Sequence, residues 1–207
     1  LSASLCMADM RVLVVDCDAQ ANCTSGLGLN RHDIRKTMYH VLVLNENIRN
    51  IILQAEMDNL HVAPADRNLA GAVVELMDVE NREHILSERL KAVADEYDYI
   101  IIDSPPSINL LTINGLVAAD SVLIPIQCEY FALEGLGKLL NTIKIIQSRL
   151  NTKLEIEGIL LTMYDSKLNF TNTLIIGISQ SGMAEDVLEV IKKAKEQNAL
   201  TLSITNN

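Results

Sequence analysis

The sequence has no tryptophan, and aromatic residues make up only 3% of its 207 residues. Leucine, isoleucine, valine and methionine must therefore fill the core that a 49% hydrophobic composition can build. No C-x-x-C pair occurs among Cys6, Cys17, Cys23 and Cys128, and no histidine cluster stands beside them. That argues against a zinc site and for reduced thiols acting as small hydrophobes, as expected in the cytoplasm. Basic residues are few: 17 Lys and Arg against 27 Asp and Glu leave a net charge of -10. Nucleic-acid binding by bulk charge is excluded; no dense Lys/Arg run appears, which leaves a local basic patch as the remaining route. No apolar run reaches the roughly 18 residues of a membrane helix. Residues 1–8 carry neither a basic n-region nor a cleavage site, and a chain that starts with Leu is expected to be a fragment or a processed product.

What is present is an alternation of short aliphatic runs and amphipathic stretches. Strands are predicted at residues 11–16 (R-V-L-V-V-D), 60–63, 99–103 (Y-I-I-I-D), 121–126, 156–163, 173–178 and 200–205. Helices are predicted at 1–8, 34–52, 68–77, 82–97, 110–118, 133–150 and 184–197, with a glycine-bearing loop over 17–29. The stretch 82–97 is the clearest amphipathic one, with Ile85, Leu86, Leu90 and Val93 on one face. Such alternation implies an α/β fold: a doubly wound, mostly parallel sheet with helices on both faces. Continuous apolar strands fit burial on both sides.

Two strands end in acid, at Asp16 (followed by Asp18) and at Asp103. Ligands of doubly wound sheets bind outside the carboxyl ends of the strands. Carboxylates there can hold a Mg²⁺ ion through its waters, or orient a water toward a phosphate. An Asp at a strand end can equally cap the turn or helix that follows.

The segment V-L-V-V-D-C-D-A-Q-A-N-C-T-S-G-L-G-L (12–29) resembles the D-x-D-P-Q-G-N block of ParA/Soj-type partition ATPases, the MinD-like family with a deviant Walker A loop. Ala19 and Ala21 stand where that block has Pro and Gly. The resemblance continues through P-A-D-R-N-L-A-G (64–71), Y-D-Y-I-I-I-D-S-P-P-S-I-N (97–109) and E-I-E-G-I-L-L-T-M-Y-D-S-K (155–167), so it spans residues 1–168. It implies a partitioning ATPase that uses ATP and Mg²⁺. By resemblance, Asp18 positions the hydrolytic water, while Asp16 and the Walker B Asp103 support Mg²⁺ through water. Residues 104–107 resemble the segment that senses the γ-phosphate, and 129–135 lie near the nucleotide and dimer face or simply start a helix. Thr162, Met163 and Asp165 fall where the family builds part of its adenine pocket, although Met163 also reads as core. The family's partners are a second copy in an ATP-sandwich dimer, nonspecific DNA and a ParB-like protein, with no membrane.

The family cradles phosphate with K-G-G-x-G-K-T-T, and no G-x-x-x-x-G-K-[ST] occurs in these 207 residues. The loop and the strand before it are expected to be missing, and little or no ATPase activity is expected from this chain alone. After Lys167 the sequence changes character. T-L-I-I-G-I-S-Q-S-G-M-A-E-D-V-L-E-V-I-K-K-A-K-E-Q-N-A-L-T-L-S-I-T-N (173–206) resembles part of a SIS sugar-isomerase domain, whose S-x-S-G loop holds a sugar phosphate. Ser179, Gln180 and Ser181 would take that role, or the loop is only a capped β–α turn. Two domains are expected, an ATPase core over 1–168 and a SIS-like β-α-β segment over 169–207 packed on the same sheet, as in a chimera. A scaffold without retained activity is the third expectation.

Overall fold

The computed structural model describes residues 1–127, 132–162, 174–179 and 200–205. Two compact bodies are present, one formed by residues 1–120 with 145–154 and one by 121–144 with 155–207. In the first, a four-stranded sheet has the order β2 (Leu53–Gln54), β3 (Leu60–Ala63), β1 (Val12–Asp16) and β4 (Tyr99–Asp103). β1 runs parallel to both neighbours, and β2 is a short antiparallel edge. The register sets Asp16 directly beside Asp103.

All five residues of β1 are buried, because the strand is covered on both faces. Side chains alternate, so Leu13 and Val15 enter one cluster while Val12 and Val14 enter the other. The first cluster is built from α3 (Met38–Leu42), α4 (Leu69–Glu75), α5 (Ile85–Leu90) and α6 (Leu110–Ala118), through Met38, Leu69, Leu86 and Leu111. The second takes Cys6 of α1 (Ser2–Met7) together with Leu60 and Val62. The expected α/β class with helices on both faces is what this body shows. β4 is less buried than β1, and among the described residues it pairs on one side only.

Three local expectations change. The loop over 17–29 contains a short helix, α2 (Asn22–Gly26). Residues 34–52 are not one helix. Asn45 turns left-handed after α3, and Asn47 recaps the chain by accepting from the Arg49 amide at 3.0 Å, opening a 3-10 turn at Ile48–Asn50. Residues 82–97 also break up, into a 3-10 turn at Arg82–His84, α5, and a 3-10 turn at Ala94–Glu96. The Ala92 carbonyl is taken by the Arg49 guanidinium instead of by a further helical turn. The apolar face is nevertheless as expected, with Leu86, Leu90 and Val93 buried.

In the second body β5 (Ser121–Gln127) pairs parallel with β6 (Glu155–Thr162); the chain between them carries α7 (Ala132–Arg149), of which residues 132–144 belong to this body and 145–149 to the first. β7 (Leu174–Ser179) pairs parallel with β8 (Leu200–Thr205). The helix expected at 184–197 lies outside the described residues. Among the described residues no helix is long and apolar enough to cross a membrane.

Candidate functional site at the acidic strand ends

β1 and β4 are parallel and in register, so their carboxyl ends bring Asp16 and Asp103 to one edge of the sheet. The chain crosses directly there, since the Cys17 amide donates to the Asp103 carbonyl at 2.8 Å. The next residue is Asp18, whose Oδ1 accepts from the Gln20 amide at 3.0 Å. The structure thus brings the three expected carboxylates together.

Their roles differ. Asp16 is fully buried, and both its oxygens are engaged. Oδ2 accepts from the Thr24 amide at 2.8 Å and the Thr24 hydroxyl at 2.7 Å, while Oδ1 accepts from the Asp18 amide at 3.1 Å. Asp16 therefore caps the first turn of α2 from the strand end, the alternative open to any such Asp. Charge-assisted bonds of this kind make its burial tolerable.

Asp103 is half-buried, and burial is the first cause that raises its carboxyl pKa, followed by the charges of Asp16 and Asp18. The same field acts on the cysteines. Burial and then Asp16 and Asp103 push the Cys17 thiol up. Burial, Asp103 and Asp16 push half-buried Cys23 up to about 12. Both are free thiols held protonated, as the sequence suggested.

Asp18 is half-buried and lines an open cleft of about 300 Å³. Gln20, Val73 of α4, Pro105, Ser107 and Asn109 line it as well. The segment 104–107 is held by α6: Asn109 caps that helix toward Leu111 and Thr112, and the Thr112 hydroxyl donates to the Ser107 carbonyl at 2.6 Å. Gly115 lets α6 approach, since a Cβ there would stand 2.9 Å from Ser104 Oγ.

Asp18 and Asp103 lie within one another's field, since the Asp18 charge contributes to raising the Asp103 carboxyl pKa. Asp16, saturated by Thr24 and the Asp18 amide, contributes field rather than a free oxygen. Among the described residues no group of three or more His, Cys, Asp or Glu that could hold a metal ion is present.

Thr162, the last residue of β6, belongs to the second body. Met163, Asp165, Gln180 and Ser181 lie outside the described residues, as do 129–131. Ser179 is the final residue of β7. Sequence reasoning missed Thr24 and Arg31. Thr24 is fully buried, and its hydroxyl also accepts from the Ala65 amide at 3.1 Å, joining the ends of β1 and β3. The signal was available as a Thr eight residues beyond a strand-end Asp.

An AAA domain family matches residues 1–156, and a SIS domain family matches residues 156–207. The sporulation initiation inhibitor protein Soj of Bacillus subtilis (strain 168) is 52% identical over 169 residues, covering 82% of this chain and 67% of that protein. The chromosome partitioning protein ParA of Myxococcus xanthus (strain DK1622) is 48% identical over 191 residues, covering 92% of this chain and 67% of that protein. Among solved structures, cobyrinic acid a,c-diamide synthase from Mycobacterium smegmatis, with bound ATP analog and magnesium, is 33% identical. Its TM-score is 0.78, over 93% of this chain and 73% of that one.

Proposed function

Because the chain belongs to the ParA/Soj-type family of partition ATPases, we propose that its acidic strand ends supply the cation and water side of an ATP site. The observation that carries this reading is the register of β1 and β4, which sets Asp16 beside Asp103 with Asp18 two residues on. Asp18, open to the cleft, is the residue to orient a water toward the terminal phosphate. Asp103, with Asp18, is the group to hold Mg²⁺ through its waters, while Asp16 holds the loop. Bound Mg²⁺ would neutralise charge that develops on the phosphates. Residues 104–107, fastened to α6, are the segment that would report the γ-phosphate. Thr162, Met163 and Asp165 are the proposed adenine-side residues.

These residues provide no Walker A cradle of amides and lysines. Positioning and charge neutralisation dominate phosphoryl transfer, so the 207-residue chain by itself is expected to turn over little or no ATP. A coupled ATPase assay with Mg²⁺ tests this, and turnover comparable to that of an intact ParA overturns it. The cellular role proposed is a cytoplasmic, ATP-dependent dimerisation switch in DNA segregation, acting with nonspecific DNA and a ParB-like protein. We divide the chain into the ATPase core at 1–168 and a SIS-like segment at 169–207.

The SIS match favours a second reading for the tail. Ser179, Gln180 and Ser181 would bind a sugar phosphate through hydroxyls and amides. A hexose phosphate should then raise the melting temperature, and Ser181→Ala should abolish the rise. If neither nucleotide nor hexose phosphate shifts melting, the chain acts as a scaffold without either activity.

A further inference from the structure

Ala21 sits at the turn into α2 with φ 52° and ψ 38°, in the left-handed region, and is 1% exposed. A side chain with a Cβ is disfavoured there, because Cβ crowds the following carbonyl. Something must hold the turn. The Ala21 carbonyl accepts from the Ser25 amide at 3.2 Å, the Ser25 hydroxyl at 3.0 Å and Arg31 Nη2 at 2.7 Å. Arg31 Nε donates in addition to Ser25 Oγ at 2.6 Å. The planar guanidinium therefore grips the turn at two points, which a point charge such as lysine's does not reproduce.

The turn is also mechanically joined to the acids. The Ala21 amide donates to the Asp18 carbonyl at 2.9 Å, and Thr24, one turn on, grips Asp16. We propose that Arg31 is a positioning residue for the Asp18 loop: it clamps the strained Ala21 turn and thereby fixes the path of the chain between Asp18 and Thr24. An ordinary exposed arginine contributes little to its surroundings. Here the strain at Ala21 gives the contact a local task. The value of this clamp for a water-orienting Asp18 rests on the function proposed above, but the clamp itself requires no nucleotide.

The test is residue-resolved amide hydrogen exchange on the 207-residue chain, for the native sequence, Arg31→Gln, Arg31→Lys, Ala21→Gly and the Arg31→Gln/Ala21→Gly pair. Arg31→Gln should speed exchange at Ala21, Thr24 and Ser25 by about tenfold, while Val14 and Ile101 change by less than about twofold. Arg31→Lys should not restore protection. Ala21→Gly in the Gln background should restore most of it, because glycine adopts this conformation without strain. Unchanged exchange in Arg31→Gln, or failure of glycine to rescue it, overturns the proposal. So does a uniform acceleration that includes Val14, which would make Arg31 a global stabiliser. Since exchange is read without ATP, a failure of the ATPase reading leaves the result intact, and the reverse also holds.

Discussion

Asp103 stands in the field of Asp16 and Asp18 and is partly withdrawn from water, so its ionised form is disfavoured in the fold. Its folded pKa lies above the ordinary 3.8, which means the folded state binds the proton more tightly than the unfolded chain. The penalty is absent below about pH 3.8 and grows as pH rises through the folded pKa. Asp103→Asn should therefore raise the melting temperature at pH 7 in EDTA and leave it unchanged near pH 3. Thr24 is the opposite case, a buried residue whose hydroxyl serves structure on both sides. Thr24→Val removes a donor to a buried carboxylate and the acceptor for the Ala65 amide, and should cost about 2–4 kcal/mol in urea unfolding. Thr24→Ser keeps the hydroxyl and should lose less than about 1 kcal/mol.

At the scale of elements, α6 ties the site to the rest of the first body. Buried Asn114 accepts from the Leu86 amide at 3.0 Å and donates to the Arg82 carbonyl at 2.8 Å and the Leu110 carbonyl at 3.0 Å. It thus sews the start of α5 to α6. Asn114→Ala would remove the side-chain acceptor for the Leu86 amide and the donor to the Arg82 and Leu110 carbonyls, and should cost about 2–3 kcal/mol, measured as a shift in the urea midpoint. One position on, Gly115 allows α6 to lie against Ser104. Gly115→Val needs more room than the contact allows, so it should displace the 104–107 segment. The expected readout is a change in the amide shifts of Ser104 and Ser107 larger than that at Val14.

For the whole molecule, the two family matches meet at residue 156; the first compact body lies entirely before that residue, and the second draws on both sides of it. In the division we propose, residues 169–207 are not needed by the first body. A chain ending at residue 168 should keep the cooperative unfolding transition of that body within about 4 °C, the shift that roughly 1 kcal/mol produces in a domain of this size. Loss of the transition by circular dichroism would show that the tail is part of the same folding unit.

The sequence alone located the parallel strands, because they are continuous aliphatic stretches that need little context to be recognised, but not the exposed two-residue edge β2 at Leu53–Gln54. It determined the apolar face of 82–97 and the strand-end acids for the same local reason. It did not determine that 34–52 and 82–97 break into short pieces. Those breaks come from Asn45, Asn47 and the reach of Arg49 to Ala92, contacts that propensity does not contain. The acids were legible as a group, but not their division of labour. Only the folded chain places Thr24 against Asp16, leaving Asp16 closed and Asp18 open. Which carboxylate is structural and which is free for chemistry depends on donors that arrive from α2 and from the end of β3, and tertiary packing alone brings those together.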